Sequence, residues 1–174
     1  MIRKNIKDRI KEYFFINPNE KLRVRHIEKK VKIPLPSAIR YSNELEKEGI
    51  LKSTVVSGVK LYTADRSSET FILEKKLFNI KNLYTSGLVK YLIEEYQNPT
   101  VVVFGSYAKG EDVETSDIDL YIGTAKKINL DRFEKVLKRK LQIFTYKNIN
   151  SISNKELANS IINGIVLNGF LEVL

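Results

Sequence analysis

The sequence predicts a small basic unit of helices closed by a β-hairpin, followed by an α/β or α+β domain in which strands alternate with helices. Three observations carry this expectation. Apolar residues recur at helical spacing near the N-terminus, then give way to β-branched residues around Ser57-Gly58. Further on, strand-like apolar runs such as Thr100 to Phe104 alternate with helical patterns. Charge divides in the same way: residues 1–66 hold 16 Lys/Arg against 8 Asp/Glu, whereas residues 67–174 hold 14 against 13.

The elements follow in order. Ile2, Ile6, Ile10 and Phe14 recur every fourth residue, one face of a helix, with Arg3, Lys4, Lys7 and Lys11 on the others. Asn17-Pro18-Asn19 ends it. Leu22 and Val24 alternate with Arg23 and Arg25, the pattern of a short strand, and Ile27 and Val31 suit a short helix stopped by Pro34-Leu35-Pro36. Ser37 to Glu48 reads as a third helix, with Gly49 as its stop. Ile50 to Thr63 reads as a hairpin about Ser57-Gly58. The polar stretch Asp65 to Glu69 is the best boundary, and Ser68-Glu69 can start a connecting helix to about Lys81. Ser86 suits a cap for a helix with Leu88, Leu92, Ile93 and Tyr96 on its buried side, ended by Gln97-Asn98-Pro99. Strands at Thr100–Phe104, Leu120–Ile122 and Leu141–Tyr146 then alternate with helices around Leu130–Leu137 and Lys155–Asn163; Gly164 stops the last helix, and a strand follows. The expected domains are 1–64, a connecting segment 65–85, and 86–174.

Composition excludes several classes. With 174 residues, 43% hydrophobic and 29% charged, the chain suits one domain or two small ones. The absence of Cys excludes a disulfide framework, a thiolate zinc site and a cysteine nucleophile. One histidine, His26, excludes any site needing two, and its place on a short charged helix reads as surface. No apolar run approaches a membrane span, and the opening Met1-Ile2-Arg3-Lys4 leads into a polar amphipathic stretch without a secretory signal. A cytoplasmic protein is expected. The basic first third attracts polyanions, of which nucleic acid is the commonest in cells.

Helix, helix, turn, helix and hairpin is the order of a winged helix-turn-helix, and residues 1–64 also resemble that family as found in bacteria and archaea. Ser37-Ala38-Ile39-Arg40 through Leu45-Glu46-Lys47-Glu48-Gly49-Ile50-Leu51 looks like its recognition helix and first wing strand. The resemblance implies that Ala38, Leu45 and Ile50 fill the core while Ser37, Ile39, Arg40 and Asn43 face outward. Double-stranded DNA is the implied partner, with Arg40 and Asn43 for base edges and Arg23, Arg25 and Lys52 for phosphates. Reading two half-sites would make the protein a homodimer.

The chemistry is concentrated in Val103-Phe104-Gly105-Ser106-Tyr107-Ala108-Lys109-Gly110 and Ser116-Asp117-Ile118-Asp119-Leu120. Glycine straight after a buried strand lets backbone approach a ligand, and a helix opened by Ser106 offers amides and a hydroxyl to phosphate oxygens. Asp117 and Asp119, two apart on a strand, face the same way. Their repulsion is relieved by a divalent cation, and all-oxygen ligation favours Mg2+.

This segment resembles the DNA polymerase beta-like nucleotidyltransferase superfamily, in particular its minimal members, whose signature is Gly-Ser, ten residues, then Asp-x-Asp. Here Gly105-Ser106 is followed by residues 107–116 and then Asp117 and Asp119, and Lys109 stands where a basic residue is usual. The order of the tail is similar to that of archaeal nucleotidyltransferase-domain proteins. The resemblance implies a small mixed sheet with flanking helices, Gly105, Ser106 and Lys109 at the triphosphate, and Asp117 and Asp119 as catalytic ligands of Mg2+. It implies transfer of a nucleoside monophosphate from a nucleoside triphosphate, with release of pyrophosphate. One departure stands out: the family's third carboxylate lies on the next strand, where Leu141-Gln142-Ile143-Phe144 places Gln142. Glutamine is neutral and takes up no proton. Two functions follow: a nucleotidyltransferase acting on an unidentified acceptor and coupled to DNA binding, or a DNA-binding regulator whose weakened domain senses a nucleotide.

Overall fold

The computed structural model describes residues 5–126 and 128–173. The chain divides into two compact units, Met1–Phe78 and Asn79–Leu174.

In the first unit, helix α1 (Ile6–Ile16) starts on Asn5, whose side chain accepts from the Lys7 amide, and buries Ile10, Phe14 and Phe15. Ile2, Arg3 and Lys4, read as part of this helix, lie outside the described residues. Helix α2 (Val24–Val31) begins where the sequence suggested a strand, so the extended stretch shrinks to a single bridge between Leu22 and Tyr62. Helix α3 (Leu35–Lys47) also begins early: Pro36 sits in its first turn, where an amide has no intrahelical partner to lose. Its core residues Ala38 and Leu45 are fully buried with Ile50, and so is Ser42, a position that the apolar pattern overlooks. Strands β1 (Leu51–Val56) and β2 (Val59–Ala64) pair antiparallel. Ser57 and Gly58 both take positive φ, 48° and 75°, which suits the right-handed twist of a two-residue hairpin.

Helix α4 (Glu69–Thr85) continues past Lys81, and the division between units falls within it. Phe71 joins the first hydrophobic core and Leu83 a core of the second unit.

The second unit continues with α5 (Leu88–Glu95), β3 (Val101–Phe104), α6 (Gly105–Lys109), β4 (Ile118–Gly123), α7 (Asp131–Leu137), β5 (Leu141–Tyr146), a 3-10 turn at Ile149–Ser151, α8 (Lys155–Ile162) and β6 (Ile165–Asn168). Helix α5 takes Gly87 as its N-terminal cap, while Ser86 Oγ accepts from the Leu88 amide at 3.3 Å. The sheet order is β5-β4-β3-β6. Strand β3 is antiparallel to both neighbours, and β4 and β5 run parallel. Alternation separates two faces. Val101, Val103, Ile118, Leu120 and Ile122 pack with Leu88, Leu92 and Phe133; Val102, Phe104 and Tyr121 pack with Ile149 and Ile161.

Gly164 makes the closing strand possible. A β-carbon there would lie 2.6 Å from Val102 Cγ1 and 2.7 Å from the Val103 carbonyl oxygen. Because backbone cannot yield as a flexible side chain can, Gly164→Ala is expected to destabilise the second unit by about 1–3 kcal/mol. Chemical denaturation followed by tyrosine fluorescence measures this, and a variant as stable as the parent contradicts the packing described.

Candidate functional site

Strand β3 passes directly into α6, and the corner is Gly105, at φ +70°. A β-carbon on Gly105 would lie 2.2 Å from Asp119 Oδ2. Asp119 sits opposite Phe104 in the β3–β4 register, so its carboxylate is held against the start of α6. Asp117 is one residue outside β4 and exposed, whereas Asp119 is half-buried. Burial raises the Asp119 pKa above the ordinary carboxylate value, and the negative charge of Asp117 raises it further. Two carboxylates that repel each other beside a glycine corner favour either a proton or a cation between them. Ser106 is half-buried in the first turn of α6, and Lys109 is exposed at its last residue.

Residues outside the recognised pattern hold this corner in place. Asp112 is 1% exposed, and its Oδ1 accepts from Asn79 Nδ2 at 2.7 Å. The same amide group donates to the Tyr107 carbonyl at 2.9 Å, tying α4 to α6. The Arg139 guanidinium stands 3.9 Å from Asp112 Oδ2. Burial, and after it the Asp112 charge, pushes the Tyr107 phenol well above its usual pKa. Ser116 closes the loop ahead of Asp117: its Oγ accepts from the Val113 amide at 2.9 Å.

In the parallel β4–β5 register, Gln142 pairs with Asp119. Leu141 and Ile143 pack on the core containing Leu120, while Phe144 packs on the opposite face with Phe104. Gln142 therefore shares a sheet face with Asp119, and it is exposed. Among the described residues, no group of three or more His, Cys, Asp or Glu side chains is placed to hold a metal ion. The donor set is two carboxylates and a neighbouring amide. That set suits a hard cation held by one or two carboxylates, with phosphate oxygens and water completing its shell.

The candidate DNA residues all lie in the first unit. Arg23, Arg25, Arg40 and Lys52 are exposed, and Ser37 and Asn43 are half-buried. Arg40 stacks on the Tyr41 ring, 4.3 Å from its centroid, and approaches Glu44 at 3.8 Å. Lys52 approaches Asp65 at 3.4 Å. These are surface pairs of small net strength, which a polyanion can displace. Asn43 differs, because its Oδ1 already accepts from the Tyr62 hydroxyl at 2.7 Å. His26 is exposed on α2.

Comparison with known proteins gives matches within the second unit. Residues 88–169 match the family "Polymerase beta, Nucleotidyltransferase". The match spans a little under half of the chain and contains Gly105, Ser106, Asp117, Asp119 and Gln142. The protein named "Putative protein adenylyltransferase MJ0126", from Methanocaldococcus jannaschii, is 46% identical over 41 residues, 24% of this chain and 42% of the relative. "Putative protein adenylyltransferase MJ1215", from the same organism, is 52% identical over 33 residues, 19% of this chain and 38% of the relative. The chain thus spans about two fifths of the length of the curated relatives it matches. No solved structure gives a significant match.

The raised Asp119 pKa has a definite sign. The unfolded chain ionises near the ordinary value of 3.8, before the folded one does, so stability falls as pH rises through that range. Asp119→Asn, measured without metal, is expected to raise Tm by about 1–3 °C at neutral pH. The gain should vanish below the ordinary carboxylate range, where both forms are uncharged. A loss of Tm at neutral pH contradicts the reading.

Proposed function

We propose that this protein binds a nucleoside triphosphate with Mg2+ at Gly105, Ser106, Lys109, Asp117 and Asp119, and transfers a nucleoside monophosphate to an acceptor. The observation that carries the proposal is the contact of Gly105 with Asp119, which sets a carboxylate against the helix corner where phosphate oxygens would enter. Asp117 and Asp119 would hold the ion. When bound, Mg2+ supplies positive charge to the phosphate oxygens as pyrophosphate departs. Ser106 would donate to the triphosphate through its hydroxyl, and Lys109 would add a cation at the far end of the short helix. The names of the two relatives make ATP the first donor to test and a protein the first acceptor.

The pairing of Asp119 with Gln142 supports a second reading, in which the domain binds nucleotide but turns it over slowly and senses it for a DNA-binding regulator. General-base assistance is typically worth about 10²–10⁴-fold, and an amide cannot give it. Calorimetry with Mg2+ and ATP is expected to show binding that Asp117→Asn with Asp119→Asn abolishes and Gly105→Ala weakens. Pyrophosphate release should rise in Gln142→Asp with the fold unchanged. Binding that survives the double Asn substitution removes the site, and brisk transfer that ignores Gln142→Ala removes the argument from the third carboxylate.

For the first unit we propose a winged helix-turn-helix that binds double-stranded DNA, as a homodimer where two half-sites are read. The order of three helices and a hairpin supports it, together with the excess of basic residues and the exposure of Arg23, Arg25 and Arg40. Arg40 is the better candidate for a base edge, since Asn43 would first have to release Tyr62. Arg23→Ala and Arg25→Ala are each expected to reduce the salt slope of duplex binding by about one, whereas Arg40→Ala should relax sequence preference. Duplex affinity unchanged in the Arg25→Ala, Arg40→Ala double variant overturns this part.

A further inference from the structure

The turn from α7 into β5 carries a feature that neither the family match nor the motif explains. Five of the nine residues from Arg132 to Lys140 are cationic. Lys135, Lys138 and Lys140 are exposed, and among the described residues no carboxylate pairs with any of the three. With Arg139 and Glu134 they line a shallow, wide-open surface cleft of about 310 Å³. Glu134 does little to neutralise it, because its Oε1 accepts from the Leu141 amide at 2.8 Å.

The turn is also fixed in position. Arg139 is 9% exposed and directed at Asp112, so the lysines on either side of it are turned outward. Lys138 takes a left-handed backbone, φ 54°, as the C-terminal cap of α7. The Lys140 carbonyl accepts from the Ile118 amide at 2.9 Å, between Asp117 and Asp119 in sequence. Gln142 lies two residues further on. The cleft therefore opens at the end of the sheet that holds the two aspartates.

We propose that this cleft docks an acidic segment of the protein acceptor, an inference that rests on the transferase reading above. Three lysines without partners, held beside the reacting end, would attract carboxylates and align the segment that carries the acceptor group. Two features favour a peptide over a nucleic acid strand. Among the described residues no aromatic side chain lines the cleft, whereas single strands are usually bound by stacking. Val136, 61% exposed within the same segment, offers an apolar contact to a peptide side chain.

The test uses the full chain and two fluorescent probes, a peptide of alternating Glu and Leu residues and an oligothymidylate, with anisotropy as the readout. Lys135→Ala, Lys138→Ala and Lys140→Ala combined are expected to weaken peptide binding about tenfold or more at moderate salt. Mg2+-dependent ATP binding should be unchanged. In parallel, Arg23→Ala with Arg25→Ala, in the basic first unit, should leave the lysine-dependent part of peptide binding intact. Peptide affinity unmoved by the triple substitution overturns the proposal. Loss of oligothymidylate binding alone assigns the cleft to nucleic acid and overturns it as well. Loss of ATP binding assigns the lysines to the triphosphate, with the same consequence. Failure of the transferase reading shows separately: the parent protein then binds no ATP, while the peptide data still judge the cleft.

Discussion

One close approach governs the second unit. An oxygen of Asp119 occupies the space where any other residue at position 105 would carry its β-carbon. The left-handed φ of +70° favours glycine whatever the space, the corner turns β3 into α6, and a half-buried carboxylate lies at its mouth. The same contact creates an electrostatic demand. Asp119 is disfavoured as an anion by burial and by Asp117, so a cation that satisfies it also stabilises the fold locally. Structure and proposed chemistry thus have one cause. Around it, Asn79, Asp112 and Arg139 form a buried polar support whose work is to hold α6 and the loop before Asp117 in position.

How far the sequence revealed this depended on the kind of signal. Period-two and apolar runs located Leu141–Tyr146 at its observed limits and β3 within one residue, because a buried strand leaves a dense local pattern. The spacing of Gly105, Ser106, Asp117 and Asp119 also pointed to their region, because the motif is local to two adjacent elements. Pro34-Leu35-Pro36 does follow the end of α2 at Val31, but α3 begins at Leu35 rather than Ser37, because a proline is well placed in a first turn. Leu22 to Arg25 alternates as a strand would, but only Leu22 finds a partner before α2 begins at Val24. Asn79 and Asp112 were invisible, since a polar residue on a helix and another in a loop look like surface until the fold brings them together. Asn43 looked free to read a base, and only the tertiary position of Tyr62 shows that its oxygen is engaged.

Charge shows a similar limit. The basic excess of the first unit is plain in the totals, but the second unit is almost neutral overall, and that balance conceals the lysines before β5. Net charge describes a partner's average view of a domain, whereas a cleft is felt over about a Debye length, roughly 8 Å at physiological salt. The carboxylates that balance the sum are placed elsewhere or engaged, as Glu134 is with the Leu141 amide.

The most direct test of the central claim is paramagnetic broadening of backbone amide resonances when Mn2+ and ATP are added together to the isotopically labelled protein. The account predicts selective broadening at Gly105, Ser106, Asp117, Asp119 and Gln142, with Asp119→Asn removing the effect. Broadening centred elsewhere, or none at concentrations that saturate related sites, would contradict the claim that the contact between Gly105 and Asp119 builds a metal–nucleotide site.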